Sequence, residues 1–182
     1  MRTFVLAALL LAIPAVAPAT VVIPIDFREL VNVSTTIVHG RVTRVRTDWV
    51  DGRRAIETSV TVAAEECLKG RVDETVTVAV PGGQIGRYKT VFVGAPEFRE
   101  GDEVVLFLRA YGGRLFIVGL NQGAFRVAAD GAGRSVVTTP VVMGKGESDA
   151  QPVVRGDVTR RPLAVAAFRD LVKGIVADGT AR

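Results

Sequence analysis

From Ile56 to Glu65 the chain alternates. Ile56, Thr58, Val60, Val62 and Ala64 share one parity, with Glu57, Ser59, Thr61 and Glu65 on the other. A period of two places those sets on opposite faces of a β-strand, one buried and one wet. Upstream the same period changes phase: Val38, Gly40 and Val42 are even, whereas Val45, Thr47 and Trp49 are odd. A slip of one residue turns every side chain to the other face, so the switch near Thr43-Arg44 predicts a bulge bending one long strand. Asp51-Gly52, between the two runs, is a hairpin signal.

The period continues downstream. Leu68-Lys69-Gly70 ends the second strand, and Val76, Val78 and Val80 form a third, stopped by Pro81-Gly82-Gly83. The stretch to Gly101-Asp102 is loop-like, with a short strand expected at Thr90 to Val93. Val104 to Leu108 is apolar at every position, as a strand covered on both faces would be. Tyr111-Gly112-Gly113 turns it into Leu115 to Val118, and shorter strands are expected at Gly123 to Val127 and Ser135 to Thr139. A bent long strand, a three-strand meander, a loop and a closing hairpin describe a mainly β fold, a small Greek-key barrel of OB type.

Both ends differ from this pattern. Arg2, an apolar run from Phe4 to Ile13, and the small residues Ala15, Ala17 and Ala19 are ordered as in a secretory signal peptide over residues 1–19. That run is too short to span a bilayer, and export to the periplasm or the extracellular space is expected. Removing 19 of 182 residues leaves 163, one domain's worth, with 22 basic against 19 acidic side chains. The basic residues are scattered, so no stripe for nucleic acid emerges. Asp26-Phe27-Arg28-Glu29 has capping-box spacing and predicts a short helix before the sheet, the barrel domain occupying residues 20–143. Residues 144–161 read as a linker rich in Gly, Ser, Asp and Pro. Over 162–182 a helix and tail follow. Pro162 suits the first helical position, Ala164, Phe168, Leu171, Val172 and Ile175 share a face, and Gly174 is a stop. That stripe is core packing or a docking surface.

Cys67-Leu68-Lys69-Gly70 with Glu74 to Val80, and Arg99 to Leu108 followed by Gly113-Arg114-Leu115, resemble segments of netrin-like modules, the group that includes the tissue inhibitors of metalloproteinases. With Gly94-Ala95-Pro96-x-Phe98 and Val118-Gly119-Leu120-x-Gln122-Gly123, residues 30–127 look still more like a group of uncharacterised exported bacterial proteins. The resemblance implies an OB/netrin-like barrel and, by fold analogy, regulation of a secreted protease. The inhibitors chelate the protease zinc with an N-terminal cysteine, and no cysteine lies near residues 18–20 here, so that route is unsupported.

Few residues can carry chemistry. His39 is the single histidine and Cys67 the single cysteine. One of each does not build a usual zinc set, and no calcium loop or phosphate loop is present, so neither metal nor cofactor is expected. His39 has the parity opposite to Val38 and Val42, which predicts a solvent-facing or edge position; a His39–Cys67 dyad has no support in the spacing. Cys67 reads as a small buried side chain, or otherwise as a reactive or bridging thiol. Recognition remains. Trp49, near the first hairpin tip, and Arg87-Tyr88, in the long loop, are the candidate binding residues, since OB-type barrels bind through loops where an aromatic can stack. Trp49 could instead cap the barrel core. The expectation is a non-catalytic exported binding module for a protein or glycan ligand, with a regulator of a secreted protease as the alternative and a small hydrolase the least favoured.

Overall fold

The computed structural model describes residues 24–139 and 161–180, so the segment expected to be a signal peptide and nearly all of the expected linker lie outside the described residues. The fold is mainly β with a short helix near each end. Asp26 caps helix α1 (Phe27–Val33), its carboxylate accepting the amides of Arg28 and Glu29 as the capping spacing requires. Strands β1 (Thr36–Val50) and β2 (Ala55–Lys69) make the long hairpin. Their register skips Thr43, with Val42 opposite Val62 and Arg44 opposite Thr61, which is the bulge that the parity switch predicts. Asp51 and Gly52 take positive φ in the turn.

Strand β3 (Thr75–Pro81) follows, then a small hairpin of β4 (Gly83–Ile85) and β5 (Tyr88–Thr90). Then come β6 (Glu103–Tyr111), β7 (Arg114–Ile117), a 3-10 turn at Leu120–Gly123, β8 (Ala124–Ala129) and β9 (Ser135–Thr138). Neighbours run β1-β2-β3-β7-β6, and β6 returns to β1, closing a five-stranded ring. The β3–β7 pairing is parallel and the other ring pairings are antiparallel, as in an OB-type barrel. Opposite β1, the N-terminal half of β6 pairs with β8, which leads the sheet on to β9.

Two cores share β6. Val104, Leu106 and Leu108 point into the barrel with Val38, Val60, Val62 and Val78. Val105 and Phe107 point outward, under the helices, with Phe27, Leu30, Phe125 and Phe168. Burial on both sides explains why this strand is apolar throughout. Four phenylalanines, Phe27, Phe107, Phe125 and Phe168, knit the outer layer with ring centroids 5.2 to 6.3 Å apart.

Three local expectations are corrected. Pro162 does not open the helix. Leu163–Ala164 form a short strand, β10, against Val136 and Val137, so helix α2 begins at Val165 and runs to Thr180. Ala164 therefore lies on β10, not on the helix face. Gly174 does not stop α2 either. An exposed helical glycine costs about 0.5–1 kcal/mol, less than the roughly 1.5–3 kcal/mol from burying Ile175 just beyond it. Finally, the strand expected at Thr90 to Val93 lies earlier, because Tyr88–Thr90 pairs back on Gly83–Ile85 while residues 91–93 are loop.

The apolar face of α2 covers the barrel. Phe168, Val172 and Ile175 are buried; Glu66 on β2 accepts a hydrogen bond from Lys173 at 2.8 Å and forms an ion pair with Arg169, whose Nε lies 2.8 Å away. Lys69 does comparable work at the other helix. Its Nζ donates to the carbonyls of Val31 at 2.7 Å and Asn32 at 3.0 Å, capping α1 with a cation. Burial holds its pKa below the ordinary lysine value. Gly70 beside it has φ +81°, and an added Cβ would lie 2.5 Å from the Thr35 carbonyl. The Lys-Gly phrase is therefore a device for seating α1.

Candidate functional site

One end of the barrel is built from the β1–β2 hairpin and the β4–β5 hairpin lying across it. Beyond the bulge, Val45, Thr47 and Trp49 share one face of β1. Thr47 and Thr58 hydroxyls meet at 3.1 Å, and Thr58 donates to the Gly82 carbonyl at 2.8 Å. The Gly82 amide in turn donates to the Ile56 carbonyl at 3.0 Å. Gly83 packs directly over the two threonines: its φ is +137°, and an added Cβ would lie 2.6 Å from both Thr47 Cγ2 and Thr58 Oγ1. Only glycine allows so close an approach without strain.

This crossing brings Tyr88 to Trp49. Their rings meet edge to face with centroids 5.4 Å apart, and the Arg87 guanidinium lies 5.1 Å from the Tyr88 ring centre. Arg87 also donates to the Tyr88 hydroxyl at 2.9 Å. The three candidate binding residues thus form one cluster. Trp49 is half-buried and is not among the residues that make up either core. Tyr88 remains half exposed.

Beside the cluster opens a cleft of about 300 Å³, lined among others by Val45, Thr47, Val80, Lys89, Phe92 and Phe98. The loop over it, Val91-Phe92-Val93, is apolar yet 49 to 69% exposed. The 3-10 turn Leu120–Gly123 holds this loop, its Asn121 amide donating to the Gly94 carbonyl at 2.9 Å. The same turn ties down the segment before α1, Gln122 Oε1 accepting the Ile25 amide at 2.7 Å. Arg126 pins the far side, bonded to Asp102 Oδ2 at 2.6 Å and to the Glu97 carbonyl, with its guanidinium over the Phe98 ring. The phrases around Gly94 and Gln122 thus brace the cleft. In the sequence Val91 and Phe92 fall within an expected strand, and neither they nor Lys89 are singled out as site residues, although the apolar triplet Val91-Phe92-Val93 before Gly94 is a usable signal.

His39 is placed differently from expectation. It is buried, and its Nε2 lies 2.9 Å from Glu103 Oε1. Its face of β1 is flanked by β6, which supplies the carboxylate. Glu65 completes a trio whose ligand atoms lie within 4.8 Å of one another, a spacing that a metal ion could bridge. A cation is already there: Arg41 is 3.0 Å from Glu103 Oε2 and 3.9 Å from Glu65 Oε1. The trio is read as a closed ionic network on the rim of the sheet. Cys67 is half-buried, its thiol donating to the Lys69 carbonyl at 3.2 Å.

Comparison of the chain with protein-family models, with curated proteins and with solved structures returned no match.

Proposed function

We propose that this protein is a non-catalytic exported binding module that recognises a protein or glycan ligand at the cleft beside Trp49, Arg87 and Tyr88. The observation that carries this reading is the convergence of two hairpins on one aromatic contact next to a partly exposed hollow of mixed apolar and polar lining. Exposed apolar residues gathered in one place, with aromatics that can pack and hydrogen-bond, are features of recognition surfaces. The cleft lining carries no histidine, cysteine or serine, its one carboxylate being Glu97, and His39 is engaged with Glu103. Export rests on the order of residues 1–19, and N-terminal sequencing of secreted protein should return a start between Pro18 and Thr20.

The binding test is comparative. Residues 20–182 are immobilised as wild type and as the Trp49→Ala, Tyr88→Ala double variant, then exposed to culture supernatant and to a glycan array. A ligand retained by the wild type and released by the variant, with both forms folded, supports the reading. Identical retention profiles contradict it.

A further inference from the structure

The cleft has a cationic side that its own acids leave unanswered. On the β1–β2 hairpin each carboxylate near the tip already holds an arginine: Asp48 with Arg46, Asp51 with Arg54, and Glu57 with Arg114. Arg53 and Lys89 have no ion pair among the described residues, and Arg87 is engaged with Tyr88 alone. The β4–β5 hairpin carries Arg87 and Lys89 and no acid. Among the residues lining the cleft, Glu97 is the one carboxylate and Lys89 the one cation. The other large lining side chains, such as Val45, Val80, Phe92 and Phe98, are apolar.

The backbone adds a second constraint. Strand β5 pairs with β4 on one side and has no strand on the other among the described residues. Tyr88, Lys89 and Thr90 are all exposed. An open edge is a template for one more strand, supplied by an extended chain.

We propose that the ligand is an extended acidic peptide that adds to the free edge of β5, seats apolar side chains in the cleft, and sets Asp or Glu against Arg87 and Lys89. This rests on reading the cleft as a binding site. Strand addition supplies main-chain hydrogen bonds that are indifferent to sequence, so selectivity falls to the apolar lining and the two cations. Rim charges of this kind govern encounter and salt dependence, and they disfavour basic partners. A glycan could stack on Tyr88 but would leave the β5 edge unpaired.

A random linear-peptide phage library selected on immobilised residues 20–182 tests this, beside the glycan array. Enriched peptides should combine Asp or Glu with aliphatic or aromatic residues. Their synthetic versions should bind more weakly at high salt, and should lose about tenfold or more in affinity to the Arg87→Glu, Lys89→Glu variant with its melting temperature unchanged. Peptides that need Trp49 and Tyr88 but show no acidic preference, or tolerate the charge reversal, overturn the proposal and leave the binding site standing. So does a glycan that needs Trp49 and Tyr88 when no peptide does. If no ligand of either kind depends on Trp49 and Tyr88, both the proposal and the site fall.

Discussion

Trp49, near the end of β1, and Tyr88, on the small β4–β5 hairpin, meet edge to face with ring centroids 5.4 Å apart. The contact exists because Gly83 lets one hairpin cross the other. It joins the barrel's longest strands to a hairpin that takes no part in closing the ring, so the site can be loosened without opening the barrel.

Gly83→Ala should do that. The new methyl would meet Thr47 and Thr58 at 2.6 Å in a backbone conformation that alanine resists. A strained residue of this type costs on the order of 1–3 kcal/mol. The expected result is a moderate loss of stability and a changed Trp49 emission, the only tryptophan signal in the chain. Far-ultraviolet circular dichroism should keep its β character. Unchanged emission would show that the crossing does not depend on Gly83.

The outer core predicts that α2 is part of the fold. Phe168 is 2% exposed and touches three other phenylalanines. Phe168→Ala should cost about 3–5 kcal/mol, and truncation before Pro162 should lower the melting temperature and expose a dye-binding apolar face. An unaltered melting temperature in the truncated protein would mark α2 as a detachable handle.

Acid should weaken the brace under the cleft. Burial raises the pKa of Asp102, but hydrogen bonds from the Arg99 amide and the Arg126 guanidinium outweigh it and hold the carboxyl below its ordinary value. A carboxylate with a depressed folded pKa contributes stability that is complete above the unfolded value of about 3.9 and is lost as pH falls through the folded value. Urea unfolding midpoints should therefore fall below about pH 4 in the wild type. Asp102→Asn should be less stable at neutral pH and should lack that part of the acid slope. Parallel pH curves for the two proteins would remove Asp102 from the account.

His39 should matter for stability and not for binding. Its replacement by alanine removes a buried partner of Glu103 and should cost about 1–3 kcal/mol. Ligand affinity at the far cleft should hold. A loss of affinity with unchanged stability would give His39 a role that its ionic network does not suggest.

Much of the barrel is legible in the sequence. The phase switch around Thr43 locates the bulge, the unbroken apolar run from Val104 to Leu108 announces a strand covered twice, and Asp26 with Glu29 marks the start of α1. What escapes is set by contacts between distant segments. His39 has the parity of a wet face, yet β6 and its Glu103 close over it. Pro162 has the chemistry of a helix start, yet Leu163 and Ala164 find a strand partner in Val136 and Val137. Gly174 has the chemistry of a stop, and the packing of Ile175 carries the helix past it. At the site, Trp49 and Arg87-Tyr88 are visible one by one as aromatic and cationic loop residues. Their meeting is not, because it depends on how the β4–β5 hairpin lies over Thr47 and Thr58, which no periodicity encodes.

Trp49 fluorescence offers the most direct measurement of the central claim, since no other tryptophan contributes. A tryptophan-free ligand, whether a selected peptide or a glycan, is titrated into residues 20–182 while the emission is followed. The account predicts a saturable change in Trp49 emission that is weakened about tenfold or more in Tyr88→Ala at unchanged melting temperature, as expected for an aromatic anchor. Binding that saturates without altering Trp49 emission, or that Tyr88→Ala leaves intact, would contradict it.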